Sequence, residues 1–398
     1  MKTVAIICEY NPFHSGHYYQ IQKILHDFGK NTRIVSIMSG NFTQRGEIAF
    51  CDKFIRAEAA VRCGVNLVIE LPFPFSSSSA EFFAQSGVKI ANDLGQVDYL
   101  SFGSEVGDID ILKKIAANMI TDKFVEAIRD KRTYREIGYA SSVSKIYNRI
   151  FQDGIDNDFF TPNNILAIEY IKALKLSKSA ILPHTFKRVG ASYNDNTFLQ
   201  GAFQSSSAIR EEYKKNNISA LDFIPESAKE TLLLHQDSFP CDIEKIATAI
   251  ISSLRINPPS TNIHEANGGL YNRIRSASFN SETFYNLISL SDTKKYTSAR
   301  IKRAVMNSFF GVTSSTVKEL PLYSQLLAAD KIGQEILKKV KESGKIPILT
   351  KPSSYSQLSE QAQIQKKLSD RADSIFQLTK PRFTEGNATL RATPFILK

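Results

Sequence analysis

Two histidines three residues apart, His14 and His17, follow a short apolar run at residues 3–8 and open a stretch of helical spacing. Rings at i and i+3 lie on one face of a helix. Imidazoles placed there, beside the free amides and positive dipole end of a helix N-terminus, suit a polyphosphate. They would also offset the charge that builds on phosphorus during nucleotidyl transfer. A bare His-x-x-His pair is as readily two surface histidines near a turn. The full string Glu9-Tyr10-Asn11-Pro12-Phe13-His14-Ser15-Gly16-His17, set between a strand and a helix, is far more specific and predicts an ATP site. Gly16 lets another group approach the backbone closely.

Other residues could complete such a site. Arg188 follows a short apolar segment and is a candidate phosphate clamp. Ser205, Ser206 and Ser207 open a helix with Arg210 one turn in, a pattern that cradles a β- or γ-phosphate or merely caps a helix. His14, His17 and Arg210 are the catalytic candidates. Gly103, directly after the apolar run 99–102, allows adenine or ribose to pass over its backbone. Asn163 stands before a helix and can cap it or bind the nucleotide. Gly40-Asn41 and Arg45-Gly46 form a polar loop suited to an anion or to an ordinary turn. Lys53 and Arg56 share a helical face, which is either solvated or, taken with that loop, in contact with ligand or RNA.

These residues need elements to hold them. Near-continuous apolar runs at 3–8, 33–38, 67–70 and 99–102 predict strands, and 180–182 a further short one. Helical spacing at 14–28, 52–63, 79–92 and 164–176 alternates with them. That alternation predicts a Rossmann-like α/β fold with a parallel sheet covered on both faces. Ligands then bind at the C-terminal ends of the strands, where the candidates fall. After about residue 215 helical periodicity takes over, at 243–256, 281–289, 298–310, 323–343 and 355–378, with a loop at 344–354. The expected organisation is a nucleotide-binding domain over 1–215 and a mainly α-helical domain over 216–398.

The 398 residues are 42% hydrophobic and 23% charged, ordinary values for a globular protein. The longest apolar runs fall well short of a membrane span. Met1-Lys2, a short apolar run and then Glu9 predict a buried first strand rather than a secretory leader. Cys8, Cys51, Cys63 and Cys241 lack metal-ligand spacing and read as reduced thiols of a cytoplasmic protein. The net charge of +10 favours an anionic partner such as nucleic acid. Between Thr293 and Val317 the charged residues are all basic: Lys294, Lys295, Arg300, Lys302 and Arg303. Composition alone reads this stretch as a solvated helix face.

The His-x-Gly-His element resembles the HIGH-superfamily nucleotidyltransferases, which cleave ATP between the α- and β-phosphates. The longer string from Glu9 is similar to one branch, the bacterial tRNA(Met) cytidine acetate ligase family. Further matches follow in order: Met38 to Glu47, Lys53 to Ala57, Val68 to Pro72, Ser101 to Glu105, Thr161 to Asn164, Lys187-Arg188, Ser205 to Arg210 and Tyr296 to Arg303. Residues 325–328 depart from the family pattern, with Gln-Leu-Leu-Ala where Arg-Val-Leu-Gly is expected. The resemblance implies a HUP-type sheet, and ATP as substrate with Mg²⁺. It implies acetate as the acid activated, and elongator tRNA(Met) as the acceptor that becomes N4-acetylcytidine at its wobble position. It implies a nucleotide site made of Ile7, Cys8, Glu9, Tyr10, Asn11, Pro12, Phe13, His14, Gly16, His17, Gly103, Asn163, Arg188, Val189, Ser205 and Ser206. The sequence shows no dedicated carboxylate cluster, so no protein metal site is expected. The resemblance turns the basic stretch toward RNA, with Lys53, Arg56, Lys295, Arg300, Lys302 and Arg303 as contacts. A small-molecule ligase with the same ATP site, or an ATP-sensing RNA-binding protein without catalysis, are the competing readings.

Overall fold

The computed structural model of the protein describes residues 1–129, 139–188, 203–257 and 262–398. Five parallel strands form the centre of the fold: β1 (Thr3–Cys8), β2 (Arg33–Ser39), β3 (Leu67–Leu71), β4 (Tyr99–Ser104) and β5 (Leu182–Lys187). Their order across the sheet is β5-β4-β1-β2-β3. The chain therefore reverses direction of travel across the sheet between β3 and β4. The crevice between the C-terminal ends of β1 and β4 is the topological switch point where such sheets bind ligands. Helices α1 (Ser15–Phe28), α2 (Lys53–Arg62) and α3 (Ala80–Leu94) connect the first four strands. Asp52 and Ser79 cap α2 and α3 by accepting from the amides of Phe54 and Phe82.

Two strand expectations need correction. The predicted strand at 180–182 is instead β5, running on through Pro183 to Lys187. Proline fits because β5 is an edge strand, paired only with β4, so the ladder needs no amide from its outer side. The predicted helix at 323–343 splits into β6 (Ser324–Ala329) and a helix at Lys331–Ser343. Leu326 to Ala329 are buried on both faces, and a short, fully buried apolar run has no period that tells strand from helix. Asp330 marks the break by capping the helix through the Gly333 amide at 2.7 Å. The departing string at 325–328 lies in this strand.

Strand β6 runs antiparallel to β3, and β7 (Ile348–Leu349) and β8 (Phe395–Ile396) each pair parallel with β6. Residues beyond 216 thus extend the N-terminal sheet, which corrects the expected division at that point. The remaining described C-terminal residues are mainly helical, and the helix at Ser298–Phe310 has the predicted bounds. It docks through a shared aromatic cluster: Phe310 lies edge-on to Phe42 and Phe73, with centroids at 5.3 and 5.1 Å. Among the described residues no helix is long and apolar enough to cross a membrane.

A buried ion network makes the second join. Lys53, at the start of α2, is fully buried and donates to both oxygens of Glu70 at 2.8 Å and to Asp373 at 2.7 Å. Asp373 belongs to the helix Glu360–Phe376 and also accepts from Asn41 at 2.8 Å. The expectation that Lys53 faces solvent or RNA is therefore wrong. Its helix face is covered by the C-terminal half, and two carboxylates hold the ammonium there. Burial, with the Asp373 carboxylate close by, holds the Glu70 pKa above its ordinary value although Lys53 pulls it down. Replacing Lys53→Met leaves two buried carboxylates without their cation and is expected to cost about 3–5 kcal/mol in urea unfolding. A raised folded-state pKa for Glu70 means stability is lost as pH rises through it, and removing Lys53 raises it further. The variant's deficit should therefore be larger at about pH 8 than at about pH 5.

Candidate active site

At the end of β1 the chain turns sharply. Tyr10 takes a left-handed backbone conformation (φ 46°), costly for an L-residue, while its buried hydroxyl is anchored to the Ser36 Oγ at 2.9 Å. Asn11 accepts from the Phe50 amide at 2.6 Å, tying this turn to the loop after β2. Ile7 packs its side chain against Gly87 of α3, and Phe13 is buried beside Tyr10, with rings 4.9 Å apart. Cys8 is a free thiol; burial pushes its pKa up to about 12, so it stays protonated.

His14 is the residue that caps α1. Its Nδ1 accepts from the Gly16 amide at 3.0 Å, while its own amide donates to the His17 Nδ1 at 3.2 Å. This reciprocal pair sets both rings nearly face to face, with centroids 3.9 Å apart and planes at 34°. With Nδ1 accepting in each, the neutral tautomer carries its hydrogen on Nε2. Both rings are neutral: burial, then Arg188 and Arg210, bring His14 to about 3, and burial, then His14 and Arg188, put His17 well below its ordinary value. Gly16 is required because a Cβ there would meet the His14 ring at 2.8 Å. The amides of Gly16 and His17 are already taken by His14, the latter through its carbonyl at 2.9 Å. The donors offered to a ligand are thus the imidazoles more than the helix amides that the sequence suggested.

Arg210 reaches the same corner from the helix Ser206–Lys214. Its Nη1 donates to the Asn11 carbonyl at 2.8 Å, and its Nη2 lies 3.4 Å from Glu47. Ser205 caps this helix through the Ala208 amide at 3.1 Å, and the Ser206 Oγ is 3.5 Å from the Pro12 carbonyl. The Ser206 hydroxyl therefore ties the start of this helix to the Pro12 carbonyl in the loop before His14.

On the far side of the crevice, Gly103 is the last residue but one of β4. A Cβ there would meet the Arg188 side chain at 2.9 Å and the Phe186 ring at 3.1 Å. Glycine is thus needed for Arg188 to cross over the strand end, a reason the sequence did not suggest. Asn163 is held by Glu105, which accepts from its Nδ2 at 2.6 Å and from the Asn164 amide at 2.8 Å. Asn163 lies inside the first turn of the helix Pro162–Leu176 and not before it, and the side chain that caps this helix is Glu105. Val189 lies outside the described residues.

Arg56 also departs from the sequence reading. It is 1% exposed, and its guanidinium donates to the carbonyls of Glu9 at 2.6 Å, Ser39 at 3.1 Å and Gly40. It clamps the loops after β1 and β2 together and has no face for RNA. The Glu9 carboxylate accepts from the Gln44 amide at 2.7 Å and joins the same loops.

The basic helix is likewise turned inward in part. Arg303 is buried, with Nε on Glu265 at 2.5 Å and Nη1 on the Gln44 carbonyl at 3.2 Å. Lys302 donates to Glu47 at 2.6 Å. The physical reason is Gly46: it has no side chain, takes φ 76° and sits against the backbone of residues 302 and 303. Lys295 is exposed and donates to the Gly268 carbonyl at 3.1 Å. Arg300 is half-buried and donates to the Asn267 Oδ1 at 2.6 Å. Glu47 and Glu105 are carboxylates that stand out in the sequence only as members of longer strings. A lone acid in a loop at a strand end was the available signal.

The sequence model of the HIGH Nucleotidyl Transferase family matches residues 1–389. Curated relatives named tRNA(Met) cytidine acetate ligase include one from Thermoanaerobacter sp. (strain X514), 36% identical over 371 residues and 90% of each chain. Another, from Alkaliphilus metalliredigens, is 32% identical over 423 residues, covering 100% of this chain and 99% of its own. The fold superposes on TmcAL from Thermotoga maritima in an apo crystal form, with TM-score 0.93, 28% identity and all of both chains covered. The same protein bound with alpha-thio ATP gives TM-score 0.90, covering 100% of this chain and 99% of that one. With its signature histidines at the switch point of a sheet that matches end to end, this chain belongs to the HIGH nucleotidyltransferase family, on the branch of the tRNA(Met) cytidine acetate ligases.

Proposed function

We propose that the protein activates acetate with ATP as acetyl-adenylate, releases pyrophosphate, and passes the acetyl group to N4 of the wobble cytidine of elongator tRNA(Met). The observation that carries this reading is the pair of neutral imidazoles, locked as Nε2–H donors at the C-terminal end of β1. An acetate oxygen attacks the α-phosphorus, and the bond to pyrophosphate breaks. His14 and His17 donate to phosphate oxygens as charge builds there, fixed beforehand and without a proton to lose. Arg210 and Arg188 supply positive charge on either side of the crevice. The cost of holding two buried imidazoles and two guanidiniums together is recovered when the triphosphate binds.

The described residues contain no group of three His, Cys, Asp or Glu side chains that could hold a metal ion. On this reading Mg²⁺ arrives on the phosphates of ATP. Lys294 and Lys295, in the turn before the helix Ser298–Phe310, and Arg300 in its first turn are the remaining candidates for backbone contacts with tRNA. The free thiols suit the cytoplasm, where ATP and tRNA are at hand.

Incubation with ATP, labelled acetate and bulk tRNA should yield labelled N4-acetylcytidine. Acetate-dependent pyrophosphate exchange without any labelled RNA would instead favour a small-molecule ligase, and binding of ATP and tRNA with no AMP release a non-catalytic sensor. His14→Asn keeps a side-chain oxygen for the helix cap and removes the Nε2 donor. It should lower exchange by about 10²–10³-fold while the unfolding midpoint stays close to that of the parent protein. In the free protein the ¹⁵N resonances of His14 and His17 should keep the neutral Nε2–H pattern down to about pH 5, below the ordinary imidazole pKa. Titration near about 6.5 would contradict the proposed neutral donors.

A further inference from the structure

One carboxylate beside the histidine corner stands outside the pairing that occupies its neighbours. Glu47 lies between Lys302 and Arg210, Glu70 is held by Lys53, and Glu105 takes the Asn163 side chain and the Asn164 amide. Glu9 accepts a single hydrogen bond, on Oε1 from the Gln44 amide at 2.7 Å. Its Oε2 has no hydrogen-bond partner among the described residues, and the residue is only half-buried. The backbone beneath it is fixed. Arg56 holds the Glu9 carbonyl at 2.6 Å, and Arg210 holds the Asn11 carbonyl, two residues on, at 2.8 Å. A carboxylate kept from water without a cation of its own is destabilising, and such groups gather where protons are moved.

Its place in the fold is equally specific. On the reading above, the nucleotide fills the crevice between β1 and β4, with Gly103 and Arg188 on its far side. A second reactant then approaches the acyl group from the other side of β1, where β2 lies. Glu9 is on that side, because its partner Gln44 belongs to the loop after β2. A cleft of about 330 Å³ opens there, and Arg210, Glu47 and Arg45, the charges that act on Glu9, all line it. The carboxylate thus stands between the histidine corner and a way in for the acceptor.

The geometry points to Glu9 as the base for the acceptor: its free oxygen accepts from the N4 amine of the cytidine and takes the proton that the amine sheds. The assignment rests on the proposed function above. The N4 lone pair forms the bond to the acetyl carbon. The bond from that carbon to the AMP oxygen breaks, and AMP leaves with the electron pair. The N4 proton goes to Oε2 of Glu9 and from there to water. Burial raises the Glu9 pKa, and Glu47 adds to the rise, against the pull of the Gln44 amide, Arg210 and Arg45. A carboxylate held above its ordinary range is the better base. Glu47 is the poorer one, because Lys302, Arg210 and Arg45 outweigh its burial and hold its pKa low. Of the other titratable groups close by, Cys8 stays a neutral thiol, and Arg56 donates to backbone carbonyls.

The test uses the full chain, ATP, acetate and an elongator tRNA(Met) transcript. Pyrophosphate exchange and single-turnover acetyl transfer are read side by side across pH. Glu9→Gln keeps an oxygen for the Gln44 amide and removes the base. It should lower transfer about 10²–10⁴-fold, as loss of a positioned base does, and lower exchange far less. In the parent protein transfer should fall as pH drops through a pKa above the ordinary glutamate range, because the base must be ionised. The variant's residual transfer should lack that fall. Transfer at the parental rate would show that the AMP phosphate or water suffices, and would overturn the assignment. So would equal loss of both activities, which would make Glu9 part of the ATP site, or an acid limb that survives in the variant. A parent protein that exchanges pyrophosphate but acetylates no cytidine would overturn the proposed function itself.

Discussion

Each of the two signature histidines is held by a backbone amide, and most of what this protein can do follows from that. His14 caps the helix that follows it, and its own amide caps the ring of His17. One local arrangement fixes the tautomer, the ring separation and the direction of both donors. It also consumes the helix amides that would otherwise bind phosphate. A site preorganised in this way spends no reorganisation energy when charge develops on the substrate. The price appears in the backbone before it, where Tyr10 is left-handed, and at Gly16, where any side chain would strike the His14 ring.

Around this corner the protein uses its cations mainly as fasteners. Arg56 gathers the carbonyls at the ends of β1 and β2, Lys53 joins α2 to Glu70 and the C-terminal helix, and Arg303 pins the loop after β2 to the helical half. A buried cation with full hydrogen bonding adds little net stability against an apolar substitute, but removing one partner is costly. Its contribution here is geometric: each fixes a loop at the C-terminal ends of the parallel strands. The helical half is thus part of the wall of the site. Its strand β6 extends the sheet, and its Lys302 reaches Glu47 beside Arg210.

A formal excess of positive charge is consequently a poor map of the surface. Of the basic residues singled out for RNA, Lys53, Arg56 and Arg303 are buried and Lys302 is paired with Glu47. The turn just before the helix Ser298–Phe310, with Lys294 and Lys295, keeps its charge at the surface. The basic stretch therefore faces outward at residues 294 and 295 and inward at 302 and 303.

The sequence by itself determined the local facts. Strands β1 to β4 and their helices are legible from apolar runs and capping residues such as Asp52 and Ser79, because these signals act within a few residues. The order strand, His-x-Gly-His, helix placed the two histidines at a strand end, because strand ends and helix starts are themselves local. Only the tertiary structure decided which charges are buried, since the partners of Lys53 lie 17 and 320 residues away. It alone decided that residues 324–329 are a strand, because a doubly buried run takes its form from the neighbour it pairs with. It alone brought Glu47, Arg210 and Lys302 together, since a carboxylate is read as surface or site only when the groups facing it are known.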